Sequence, residues 1–169
     1  MSEADNRAHV EKVRSRMVEV LADLSARANV HDASKFQSPE KEGYEQLHER
    51  LTPIAFGTPE YKKAMEDYRW LLDHHFEAND HHPEHHIDGV SGMTLMSITE
   101  MLADWKAASE RPTSTSTLAS GLKWNFERFG IERQLINILL NTAVALGWIS
   151  LQDAITMYID NTPERSEED

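Results

Sequence analysis

DNRAHVEKVRSRMVEVLADLSARA, residues 5–28, decides the fold class. His9, Val13, Met17, Val20 and Leu24 recur at i, i+4, i+8, i+11 and i+15, which is one stripe of an α-helix about six turns long. Helical signals continue downstream, and no segment reads as a strand. Ser38-Pro39-Glu40 and Thr58-Pro59-Glu60 each place a capping hydroxyl before a proline at the first helical position. The first predicts a short helix through Tyr44, Leu47 and Leu51, the second a helix with Tyr61, Met65, Tyr68, Leu72 and His75 on one face. Pro83, Gly89 and Gly92 make residues 79–92 an ordered connection. A helix over 94–110 follows, with Leu95, Ile98, Met101, Leu102 and Trp105 inward, and RPTSTST at 111–117 is the most linker-like segment. Residues 118–129 and 132–147 are helical, and the second is apolar on nearly every side, so it is either central to a bundle or an interface between copies of the chain. A last helix starts at Ser150. The expected architecture is an all-α single-domain bundle of six to seven helices over 1–160, with a polar tail at 161–169. Trp70, Trp105 and Trp124 are expected in its core or lining a base-binding pocket.

The 169 residues suffice for one domain with a real core. Formal charge is −12, from 17 basic and 29 acidic side chains, which repels nucleic-acid backbone and anionic membrane. Long nucleic acid and membrane are therefore not expected partners. No stretch reaches the roughly 18 apolar residues of a membrane span, and MSEADNRAHVEK lacks the pattern of a signal peptide. The expected compartment is the cytoplasm, of a bacterium or a phage-infected host. Cysteine is absent, which excludes disulfides, zinc–thiolate sites and a thiol nucleophile.

Six of the nine histidines fall in HHFEANDHHPEHH, residues 74–86, and a His31-Asp32 pair stands upstream in HDASK. Neutral imidazoles with a carboxylate suit a borderline divalent ion. His9 heads the first stripe, His75 shares a face with core residues while His74 is turned about 100° away, and Asp104 sits at the margin of the 94–110 stripe. Each is poor core material unless something takes its lone pairs. The expected metal ligands are His9, His31, Asp32, His75, His81, His82 and Asp104, holding one or two divalent transition-metal ions (Mn, Co, Fe, Ni or Zn). The competing reading is an exposed histidine-rich loop that binds metal adventitiously. His74, His85 and His86 are expected to face solvent or to support ligands, and His48 to be ordinary surface. Glu40 and Glu84 could each act as ligand or base, or merely complement a helix dipole.

In order along the chain, His9, His31-Asp32 and Asp104 resemble the HD-domain metal-dependent phosphohydrolases, all-helical proteins with an early His, a His-Asp pair and a late Asp around one metal. HDASK has the HD-x-x-K form of the two-metal branch, and His75, His81-His82 and Asp104 match the order of its further ligands. HHPEHHIDG stands where the cyclic-dinucleotide branch has a glycine-tyrosine-proline signature, which argues against cyclic dinucleotides. The chain is also similar to small phage and bacterial proteins of unassigned function through HDASKF, SPEKEGY, NDHHPEH and EMLADW, a likeness covering roughly 9–129.

The resemblance implies an HD-type bundle and metal-dependent hydrolysis of a small phosphorylated substrate, with a nucleotide or deoxynucleotide as the leading class. Asp32, Lys35 and Glu84 are the expected catalytic residues, Lys35 neutralising charge on the phosphoryl oxygens. The residues themselves offer no phosphate-binding glycine loop and no G-x-S-x-G. Two other readings stay open: a di-iron oxygenase on the same scaffold, and a non-catalytic nucleotide-binding module.

Overall fold

The computed structural model describes residues 2–55, 57–111 and 116–160. Among them every regular element is helical: α1 (Glu3–Val30), α2 (Glu40–Leu51), α3 (Pro59–Asp67), α4 (Arg69–Ala78), α5 (Leu95–Ser109), α6 (Leu118–Arg128), α7 (Arg133–Ala145) and α8 (Leu151–Asp160). Short 3-10 turns lie at Ala33–Phe36, Pro83–His85 and Gly89–Gly92, the last two inside the expected connection. Among the described residues, no helix is long and apolar enough to cross a membrane. The tail at 161–169 and residues 112–115 of the linker-like segment lie outside the described residues.

The fold class is all-α, as expected, but the described residues hold eight α-helices where six to seven were expected. The extra one arises because the segment opened by Thr58 is two helices, broken at Tyr68 (φ −105°, ψ 18°). The break is pinned from outside the segment. Arg50 on α2 pairs with Asp67 and holds its guanidinium 5.9 Å from the centre of the Tyr68 ring. The start of α2 also differs, since Pro39 takes the cap position and the helix begins at Glu40, whose side chain turns fully inward.

The chain packs as two compact units, Met1–Glu100 and Met101–Asp169. In the first, α2, α3, α4 and the neighbouring 3-10 turns pack together around Leu47, Ala64 and Leu71. Glu40, His75, His81 and Ser97 are buried in the same unit, so its interior is as polar as it is apolar. The α1 stripe is a correction to the sequence reading. No residue of α1 is buried, and Val13, Met17 and Val20 are 45%, 61% and 44% exposed. The helix period is right, but a period does not say what covers a face; contacts to the rest of this unit form at the C-terminal end, through Arg27. Leu95 is also exposed, being the first residue of α5, and the buried place two residues on belongs to Ser97, held by Thr94 and Asp80.

Where α2 meets α4, Gly43 lies against Trp70 and Leu71. A Cβ at Gly43 would stand 2.8 Å from Leu71 Cδ1 and 2.9 Å from Trp70 Cη2. Gly43→Ala is therefore expected to overpack this contact and cost about 1–3 kcal/mol. A lowered urea midpoint at unchanged slope would register it, and an unchanged midpoint would mean that α4 gives way.

In the second unit, Met101 and Leu102 on α5 and buried residues of α6, α7 and α8 form an apolar core that includes Leu122, Phe126, Leu139, Leu140 and Met157. The helix expected to be apolar all round is buried on one face only, with Ile138 and Leu146 more than half exposed. Of the three tryptophans expected inside, Trp105 is half-buried and stacked on Phe129 at 6.3 Å between ring centres. Trp70 and Trp124 are exposed, the first lying over Gly43 and the second covered by the Arg128 guanidinium.

Candidate metal centre

The centre is built in the first unit where α1 ends. After His31 the chain reverses through Asp32 in the left-handed region (φ 54°, ψ 21°), a conformation that aspartate visits more readily than most residues. The following turn delivers Ser34 and Lys35, α4 delivers His74 and His75, and the segment before Pro83 delivers His81 and His82.

Asp32, His75, His81 and His82 each place one ligand atom so that all lie within 4.8 Å of one another. His75 Nε2 stands 3.3 Å and His81 Nε2 3.5 Å from Asp32 Oδ1, while His31 Nε2 is 3.5 Å from Asp32 Oδ2. His82 Nε2 lies 3.0 Å from His75 Nε2. The two oxygens of Asp32 have different work. Oδ2 accepts from Lys35 Nζ at 2.5 Å, whereas Oδ1 is buried and has no hydrogen-bond partner among the described residues. A buried acceptor oxygen ringed by imidazole nitrogens costs free energy unless a cation sits among them. The donor set therefore fits a divalent ion.

The electrostatics agree with that fit. Burial pushes the Asp32 carboxyl up, but its polar and charged neighbours, the Lys35 ammonium among them, outweigh it and hold the group well below the usual carboxylate range. His82 is pushed down to about 3, by burial first and then by His81 and His75, so its imidazole is neutral at physiological pH as ligation requires.

Two carboxylates stand behind the histidines. Glu40 accepts from His74 Nδ1 at 2.9 Å through Oε1 and from Ser34 Oγ at 3.0 Å through Oε2, which also lies 3.0 Å from His75 Nδ1. Glu100, on α5, places Oε1 2.8 Å from His31 Nδ1 and 3.2 Å from His81 Nδ1, and its Oε2 accepts from Arg27 at 2.9 Å. Arg27 also pairs with Asp80 at 2.7 Å, and that hydrogen bond is the main reason the Asp80 carboxyl falls to about 2.

The structure thus brings together His31, Asp32, Lys35, His75, His81 and His82. It does not bring His9, which is exposed on α1, 21 residues before the helix ends at Val30 and so roughly 30 Å along the axis at 1.5 Å per residue. Glu84 is another correction, because the 3-10 turn buries Pro83 and faces Glu84 outward, into a surface depression shared with Arg69, Asp73, Glu77 and His85. Asp104 is half-buried on α5 in the second unit, one turn beyond Glu100.

The loop histidines divide. His81 is 2% exposed, which is not the exposed histidine-rich loop, while His85 is exposed and its Nδ1 donates to Phe76 O. His86 Nε2 donates to Asp80 O at 2.8 Å, and His74 supports Glu40 instead of joining the cluster. Sequence reasoning missed Glu100, although its place four residues before Asp104 puts the two on one helix face.

Residues 2–145 match a family described as a family of unknown function, DUF5662. The chain belongs to DUF5662. The matched residues include every residue of the cluster around Asp32. No curated protein and no solved structure matches the chain.

Proposed function

We propose that this DUF5662 chain is a metal-dependent phosphohydrolase of the HD-domain kind, acting on a phosphate ester or anhydride of a small molecule, with nucleotides as the leading substrate class. The observation that carries the reading is the convergence of imidazole Nε2 atoms on the buried Oδ1 of Asp32, beside an ammonium group. Asp32, His75, His81 and His82 would hold a divalent ion, with His31 beside them. Such an ion lowers the pKa of bound water to about 7 and polarises a phosphoryl oxygen. Lys35 has the charge and the position to neutralise negative charge on a phosphoryl group brought to Asp32. The acidic surface favours a small substrate held at its phosphates over a long polyanion.

The test is metal analysis of the purified protein, followed by a screen of nucleoside mono-, di- and triphosphates with manganese, cobalt, nickel, iron and zinc. One or two ions per chain are expected, with phosphate release that a chelator abolishes and added metal restores. Chelation is also expected to remove about 2.7 kcal/mol of stability for an ion present at 100 times its dissociation constant. Metal-free protein that melts at the same temperature with and without chelator would overturn the centre. An oxo-bridged iron absorbance without phosphate release would replace hydrolysis with oxygenase chemistry, and nucleotide binding without turnover would make the chain a binding module.

A further inference from the structure

We infer that Glu40 and Glu100 are positioning residues that fix the proton of His75, His31 and His81 on Nδ1, so that three Nε2 lone pairs face Asp32 before any ion arrives. The inference rests on the metal reading above and adds what assembles that centre.

The hydrogens can be assigned one by one around Glu40. The Asn79 amide spends its two hydrogens on Ser34 Oγ and on His75 O, each at 2.8 Å. The Ser34 hydroxyl hydrogen goes to Glu40 Oε2 at 3.0 Å. Glu40 is fully buried, and an ionised carboxylate has no hydrogen to give, so the 3.0 Å contact to His75 requires the proton on Nδ1. His75 Nε2 is then a lone pair, and it faces Asp32 Oδ1 and His82 Nε2.

On the other side one oxygen does the same for two rings. Glu100 Oε1 is 2.8 Å from His31 Nδ1 and 3.2 Å from His81 Nδ1, and Arg27 balances its charge through Oε2. Both Nε2 atoms of these rings lie 3.5 Å from an oxygen of Asp32. A carboxylate behind a histidine is a recurring device for setting its tautomer and orientation, and its loss typically weakens metal binding 10–100-fold. Here two such carboxylates, reached from different helices, aim at one aspartate.

The experiment is a long-range 1H–15N NMR spectrum of the imidazoles in metal-free protein, which reports the protonated ring nitrogen with no need for activity. His31, His75 and His81 are expected to carry the proton on Nδ1. Glu40→Ala should release His75 alone and Glu100→Ala should release His31 and His81, with cobalt affinity falling about 10–100-fold in each. Glu40→Gln and Glu100→Gln keep an acceptor and should restore the Nδ1 tautomer. An Nε2-protonated ring at any of the three positions in the parent protein would overturn the inference, even if a variant failed to fold. A Glu100→Gln protein that keeps the tautomers but binds no cobalt would also overturn it, by making Glu100 a ligand. A protein that hydrolyses no phosphate but shows the expected tautomers would refute the proposed activity and leave the positioning intact.

Discussion

Asp32→Asn should strip the purified protein of its metal, with a loss of affinity above the roughly 100-fold that removing an outer partner costs, and phosphate release should fall with it. The substitution keeps the size of the side chain and its tolerance for the left-handed backbone at φ 54°, so it removes charge while sparing the turn. It acts at the one group that all the proposed ligands share. Oδ1 faces His75 and His81, and Oδ2 neutralises Lys35, so the amide leaves imidazole lone pairs without a carboxylate and an ammonium without its counter-charge. Atomic absorption on parent and variant, prepared side by side, decides the matter. Equal metal content would place the ion elsewhere in the chain.

Lys35→Ala is expected to lower kcat by about 100-fold, the scale seen when one preorganised donor to developing charge is lost, while metal content stays near that of the parent. A protonated lysine cannot ligate a metal, and His75 and His81 face Asp32 Oδ1, not the oxygen that Lys35 holds. The pattern of the loss is informative. A fall in kcat assigns Lys35 to the transition state, a raised KM with kcat preserved assigns it to ground-state phosphate binding, and no change in either removes it from the mechanism.

The burial of His75 was legible in the helical pattern, but the register was not: the buried neighbours are Ala64 and Leu71, each one residue before the expected Met65 and Leu72, and the break at Tyr68 separates them. The break itself was not legible. No proline or glycine marks it, and Arg50, which pins it, lies on another helix. The exposed stripe of α1 shows the converse failure, since a helical period fixes which residues share a face but not whether anything packs on it. Between His81 and His86 the chain turns in 3-10 geometry, so neither a period of 3.6 nor one of two could sort buried His81 from exposed Glu84. The His31-Asp32 pair and the loop pair His81-His82 stood out through residue chemistry and clustering, whereas Lys35 was singled out by the resemblance. Glu100 escaped because one acidic residue on a helix reads as surface until His31, His81 and Arg27 are seen around it.

The polar interior of the first hundred residues sets a conflict between robustness and chemistry. Replacing buried ionic groups by well-packed apolar ones is often neutral or stabilising, so a redesign that scored only stability would favour leucine or methionine at positions such as Glu40 and His75. Each gain of that sort would dismantle the centre, which is the usual trade between a strained site and a sturdy scaffold. An engineer seeking a hardier protein has better ground in the second unit, where the buried side chains among the described residues are apolar apart from Asn125.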